Sequence, residues 1–121
     1  MINSLEIGKA ICSLLDNVQA FPIVAPIGTE YPFVVYTLTS LQKSSTKDSY
    51  NYREVATVMI EVLAATYEDS VALAGDIRGR LDGFSGDVKG LSIYDTQLTG
   101  ASASYSPGVY IHSLTYNIAI V

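Results

Sequence analysis

The residues from Val55 to Ala65 fall into two sets by parity. Ala56, Val58, Ile60, Val62 and Ala64 are all apolar, while Val55, Thr57, Met59, Glu61 and Leu63 are mixed. Successive side chains of a strand point to opposite faces, so this stretch predicts a strand whose even face is core. Its odd face is too apolar to sit wholly in water and too polar to be a closed core. The end of the chain repeats the pattern over 109–121. Tyr110, His112, Leu114, Tyr116, Ile118 and Ile120 share one face, and Val109, Ile111, Ser113, Thr115, Asn117, Ala119 and Val121 share the other.

Two segments carry helical spacing instead. Ile7, Ile11, Leu14, Leu15 and Val18 form one apolar stripe. Ser4 is the expected N-cap of that helix, Asp16-Asn17 its end, and Gly8 weakens it. Thr66 opens the second helix with Asp69 three residues on, close to a capping box. Leu73, Ile77 and Leu81 recur every four residues, flanked by Val71 and Ala74, and Gly83 suits a left-handed closing position. Gly75 and Gly79, four apart, predict close packing of this helix on a sheet.

The remaining segments are read from turn and strand formers. Pro22, Pro26 and Pro32 each remove a ladder donor, so residues 21–32 form an edge strand or an extended connector. Strand pattern starts at Phe33 and runs to Leu41. Gln42 to Asn51 is polar and aperiodic, a hairpin loop that either contacts a partner or is simply solvated. Gly83 to Asp87 reads as a turn, Leu91 to Leu98 as a strand, Gly100 to Ser104 as a small-residue loop, and Ser106-Pro107-Gly108 as a turn. The resulting order is α-β-β-β-α-β-β. Hairpins dominate it, which predicts one α+β domain over 1–121. The expected sheet is mostly antiparallel and four- to five-stranded, with two helices packed on one face. The other face keeps Met59, Leu63, Ile111 and Val121, and a neighbouring copy of the chain is the simplest cover. Met59, Glu61, Leu63 and Ile111 are therefore the candidate subunit interface.

Composition narrows the function. The chain has 121 residues, 12 acidic and 7 basic, for a net charge of −5, and only 16% of its residues are charged. It has no Lys/Arg cluster of the kind that releases counterions on nucleic acid. Tyr50 and Tyr52 beside Arg53 could stack on bases, but half-buried strands favour Tyr in any case, and the acidic balance supports that plainer reading. No run approaches the ~18 apolar residues of a membrane span. The N-terminus lacks the basic and apolar regions of a signal peptide, so the expected site of synthesis is a cytosol. Cys12 is the one cysteine. Set among Ile11, Leu14 and Leu15, it is expected to be a buried thiol acting as a small hydrophobe.

Nothing in the chain assembles an active site. His112 is the one histidine, expected as a hydrogen-bonded core or interface residue, and it has no second His or Cys with which to hold zinc. There is no Gly-x-Ser-x-Gly elbow and no phosphate-cradling loop. Glu54 and Glu61 fall on opposite strand faces, and Asp82 and Asp87 flank a turn. The sequence argues against an enzyme and implies no cofactor and no metal.

Three stretches together carry a resemblance. They are Phe21-Pro22-Ile23-Val24-Ala25-Pro26 leading to Tyr31-Pro32-Phe33-Val34-Val35-Tyr36; Val58 to Asp69 with Ala72 to Gly83; and the closing aromatic strand Gly108 to Ile118. In order and pattern the chain resembles the phage tail-completion or tail-terminator proteins, the ring subunits at the head-proximal end of a siphophage tail. The small-residue stretch from Ala101 to Pro107 departs from that pattern. The resemblance implies a virion structural protein, made in a host cytoplasm and located at the head-proximal end of the tail. It would form a homo-oligomeric ring, a hexamer, that stops tail-tube polymerisation and joins the tail to the head connector. The partners implied are further copies of the chain, the tail-tube protein and the connector or neck protein. DNA would cross the lumen without specific binding, and no membrane is involved. The polar loop residues Lys43, Ser44, Ser45, Thr46, Lys47 and Asp48 are the candidate docking loop for tube or connector. Another neck or head-completion component, or a non-viral α+β binding module, fits the same pattern.

Overall fold

A computed structural model describes residues 4–43 and 54–120. A 3-10 turn, Ser4–Glu6, leads into helix α1, Ile7–Leu14. Strand β1, Ala20–Pro22, is followed by β2, Phe33–Lys43, and β3, Glu54–Ala64. Helix α2, Tyr67–Leu81, precedes β4, Gly86–Val88, β5, Leu91–Ser106, and β6, Val109–Ile120.

The strands form one sheet in the order β1-β2-β3-β6-β5-β4. This corrects the expected sheet in two ways. It has six strands instead of four or five, and it is mixed, because β1 runs parallel to β2 while the other pairs are antiparallel. The sixth strand is β4, which the sequence presents as a turn. Three residues including a glycine carry no period of their own, and they become a strand by pairing with Leu91–Ile93. The parallel pair arises because the connector of residues 23–32 loops round and re-enters the sheet beside β1. The small-residue loop expected at Gly100–Ser104 is also strand. Such residues have low strand propensity, yet β6 offers a continuous ladder and the pairing runs to Ser106 opposite Val109.

Both helices lie on one face of the sheet. The core joins Ile7, Ala10, Ile11 and Leu15 with Ala74, Ile77 and Leu81, over Val34, Tyr36, the even positions of β3 and Leu114, Tyr116, Ile118 and Ile120. Ala56, Val58, Ile60, Val62 and Ala64 are each at most 1% exposed. That burial is the main stabilising term, at about 25 cal/mol per Å² of apolar surface.

Local signals place the helices. The Thr66 hydroxyl accepts the Asp69 backbone N–H at 3.1 Å, capping α2. Gly83, at φ 75°, closes the end of α2, and its N–H donates to the Thr96 carbonyl of β5 at 2.8 Å. Arg80 reaches across to donate to the backbone carbonyls of Leu14 and Asp16, tying the end of α1 to α2. Glu6, not Ser4, stands at the N-cap of α1 and makes no side-chain cap. Gly8 has a packing reason: a Cβ there would meet the Tyr36 ring at 3.2 Å.

Two expectations fail for one geometric reason. Cys12 is exposed, because the buried stripe of α1 is Ile7, Ala10 and Ile11 and the next residue lies 100° round the helix. Gly75 and Gly79 face away from the sheet, with nothing within 4 Å of where a Cβ would stand, because α2 turns Ser70, Ala74, Ile77 and Leu81 inward.

Candidate functional site

The face opposite the helices carries no covering element among the described residues. The register shows what it presents. On β3, Leu63, Met59 and Thr57 stand opposite Ile111, Thr115 and Asn117 of β6, and opposite Phe33, Thr37 and Ser40 of β2. Beyond β6, the lane on β5 holds Gln97, Gly100, Ser102 and Ser104. The face therefore grades from apolar at β2 and β3 to small and hydroxylic at β5.

Met59, Glu61, Leu63 and Ile111 all lie on this face as neighbours. Leu63 pairs directly with Ile111, and Glu61 stands two residues along β3 between Leu63 and Met59. Each is half-buried. The geometry joins the four into one patch. Of the polar-loop candidates, Lys43 ends β2 and is exposed, while Ser44, Ser45, Thr46, Lys47 and Asp48 lie outside the described residues, as do Tyr50, Tyr52, Arg53 and Val121.

One corner of the bare face seals itself. Phe33 stacks on Tyr31 at 5.4 Å and meets Phe21 edge-on at 6.3 Å. Phe33 and Val35 are consequently only 8% exposed. The polar positions nearby are partly satisfied in the same plane. The Thr57 hydroxyl donates to Asn117 Oδ1 at 2.9 Å, and Thr39 donates to the Thr57 carbonyl at 3.0 Å. Just beyond this corner the connector holds Ile23, Val24 and Ile27 in solvent, at 73%, 72% and 105% exposure. Their exposure was not readable from an extended, proline-rich stretch, where an apolar side chain can equally pack inward.

The other concave feature is an open groove beside α1, lined by Gly8, Cys12, Pro22, Tyr36 and Lys89 among others. Burial pushes the Tyr36 phenol up, and the neighbouring Cys12 adds to the effect. Glu6, Lys9, Ser13 and Asp16 also line it.

His112 sits at the other end of the helix-side face, in an aromatic cluster with Tyr67 at 5.9 Å, beside Tyr110 and Tyr105. Its Nδ1 is shielded and makes no hydrogen bond. Asp82 is more than a turn former. It accepts the hydroxyl of the buried Tyr116 at 2.5 Å, and Arg78 at 2.9 and 2.7 Å. Burial alone would raise the Asp82 pKa. The hydrogen bonds from Tyr116 and Arg78, with the Arg78 charge, outweigh that and hold it below the usual carboxylate value. Burial and Asp82 together push the Tyr116 phenol well up. This is a structural tie between α2 and the central strand. Among the described residues no group of three His, Cys, Asp or Glu side chains could hold a metal ion. No helix there is long and apolar enough to cross a membrane.

No protein-family model matches the chain, and no curated protein matches it in sequence. In three dimensions the chain is similar to a chain in the virion of a native gene transfer agent particle. The TM-score is 0.67 at 16% identity, over 91% of this chain and 83% of that one. The likeness is one of fold alone.

Proposed function

We propose that this chain is a structural subunit of a phage-type virion, and within it the ring that terminates the tail tube and joins it to the head connector. The observation that carries the reading is the likeness in fold to the gene-transfer-agent virion chain, extending over 91% of this chain. The bare sheet face adds a physical reason. A subunit that leaves Met59, Leu63 and Ile111 half-exposed in a single plane gains by burying them against a neighbour. Met59, Glu61, Leu63 and Ile111 are the patch that assembly covers. Cyclic rings need heterologous contacts, one surface meeting a different one on the next copy, and the two sides of this sheet differ. A net charge of −5 suits a lumen through which DNA passes without sticking.

The test is genetic and structural. Removing the gene from its parent particle should give tails of uncontrolled length that fail to attach to heads, seen by electron microscopy. Tails of normal length joined to heads would overturn the terminator role. The purified chain should also sediment as a ring of about six copies, the closed symmetry expected of such a subunit.

A further inference from the structure

An open sheet has two edge strands, each with backbone N–H and C=O groups that no ladder satisfies. On one side β1 pairs with Val34, Val35 and Tyr36 alone, leaving β2 from Thr37 to Lys43 without an outer neighbour among the described residues. On the other side β4 pairs only with Leu91, Ser92 and Ile93, and the N–H of Gly83 takes the Thr96 carbonyl. Beyond that point no described strand pairs with the outer side of β5.

The two free edges are defended differently. Natural edges are blunted by charge, proline or bulges. The free part of β2 has a register shift between Leu38 and Ser40 and ends on Lys43. Gly100 to Ser106 of β5 has no such device within it. Its register with β6 runs unbroken from Gly100 opposite Thr115 to Ser106 opposite Val109, and all seven residues are exposed. The devices stand at its two ends: a register shift between Leu98 and Gly100, and Pro107. Charge is missing on a wider scale. All 12 acidic and 7 basic residues lie before Thr96, and from there to Val121 the chain has no Asp, Glu, Lys or Arg.

We infer that the outer edge of Gly100–Ser106 pairs antiparallel with the same edge of a second copy, across a two-fold axis perpendicular to the sheet. Register selects this occupant first. Under that axis the edge lies level with itself, Ala103 opposite Ala103. The free part of β2 cannot take its place, because Leu38, Val58, Tyr116 and Leu98 stand in one row, which sets that part of β2 beside the residues before Gly100. Side-chain size agrees. In the two-fold pair Gly100 meets Ser106, Ala101 meets Tyr105 and Ser102 meets Ser104. The large Tyr105 stands beside the small Ala101, and hydroxyl stands beside hydroxyl, a cross-strand pairing that stabilises sheets. Pro107 of each copy falls just past Gly100 of the other, at the register shift, so the ladder stops where neither strand could continue it. Charge agrees as well. A net charge of −5 sets whole copies against one another, and this neutral edge lets them meet without placing like charges in contact.

The pair extends the sheet in its own plane. It leaves Met59, Glu61, Leu63 and Ile111 uncovered, so it does not rest on the ring contact proposed above, and either can form without the other. A two-fold contact closes at two copies and hides an edge that would otherwise template aggregation.

The test is disulfide trapping of the purified chain in a Cys12→Ser background, which removes the native exposed thiol. Ala103→Cys should oxidise to a covalent dimer, because opposite Cβ atoms across a ladder stand ~5 Å apart. Ala101→Cys should do so roughly tenfold more slowly or not at all, because its two copies are about 13 Å apart along the strand, beyond disulfide reach. Hydrogen exchange on the unsubstituted chain is the second readout. Between dilute and concentrated protein, the alternate amides of Gly100–Ser106 that β6 does not bind should slow by roughly tenfold or more. Ala101→Lys with Ala103→Lys should keep the far-UV circular dichroism and lose that protection. Equal trapping at positions 101 and 103, or unchanged exchange in concentrated protein, overturns the pair. Rings of six that form while this edge exchanges freely overturn the pair and leave the ring reading standing; a trapped, protected pair without rings does the reverse.

Discussion

The two faces of strand β3 are built from alternate residues of one eleven-residue segment, and they meet opposite fates. Ile60 is fully buried under the helices, while Met59 next to it stays half-exposed on the bare side. The even face is a finished core. The odd face mixes Met59 and Leu63 with Thr57 and Glu61, and beside them a lane of small hydroxylic residues on β5. A monomer needs only the first face. The second has a composition suited to being covered part of the time, apolar enough to gain from a neighbour and polar enough to stay soluble without one. The alternation of a strand thus lets a single segment serve folding on one side and, on the proposed reading, assembly on the other.

That contrast can be broken by substitution. Ile60→Ala should cost the monomer about 3 kcal/mol, from lost burial and the cavity left behind. Met59→Thr should change monomer stability by less than about 1 kcal/mol, the range of partly exposed positions, yet weaken self-association. Urea unfolding of both variants below the assembly concentration is the check. Equal costs would mean that the two faces are not distinct.

The tie between the helix layer and the sheet gives the next effect. Tyr116→Phe should cost about 1.5–3 kcal/mol, the usual range for a hydrogen bond to a charged group. Asp82→Asn should cost about 1 kcal/mol at neutral pH for the same reason. Because the folded state lowers the Asp82 pKa, its contribution is present above the ordinary carboxylate pKa and is lost as pH falls through the folded value. The difference in thermal midpoint between wild type and Asp82→Asn should therefore be constant from neutrality down to about pH 4, the unfolded carboxylate value. It should narrow below that. A difference independent of pH would assign the effect to packing.

The last test lies at the covered side's own edge. Thr66→Ala removes the side-chain cap of α2 and should cost about 1 kcal/mol, read by denaturant midpoint, with assembly unaffected once the monomer is folded. Loss of assembly in this variant would show that the helix side also meets a neighbour.

Much of the fold was legible because it is written locally. The parity sets of β3 and β6, the Thr66 cap and the Gly83 close all depend on residues within a turn or a strand of one another. The patch of Met59, Glu61, Leu63 and Ile111 was legible for the same reason, since parity alone puts three of them on one face and β6 supplies the fourth. Other features were not. Cys12 looked buried because its sequence neighbours are apolar, whereas on a helix the buried neighbours of a residue lie three and four positions away. Asp82 looked like a turn residue because its partner Tyr116 is thirty-four residues distant. The exposed Ile23, Val24 and Ile27 gave no signal, since hydrophobicity does not report which way a connector turns.

Backbone geometry sets the helix and strand periods residue by residue, so the strong strands, the two helices and the greasy side of each strand follow from the order of residues alone. The existence of β4, the parallel sense of β1 and the strand character of Gly100–Ser106 with its free edge come only from the folded sheet. Those residues have too little intrinsic preference to choose, and a hydrogen-bond ladder supplied by a distant strand chooses for them. The seven-residue edge left over is therefore a property of the completed sheet, visible only once β6 has laid the ladder on which it is built.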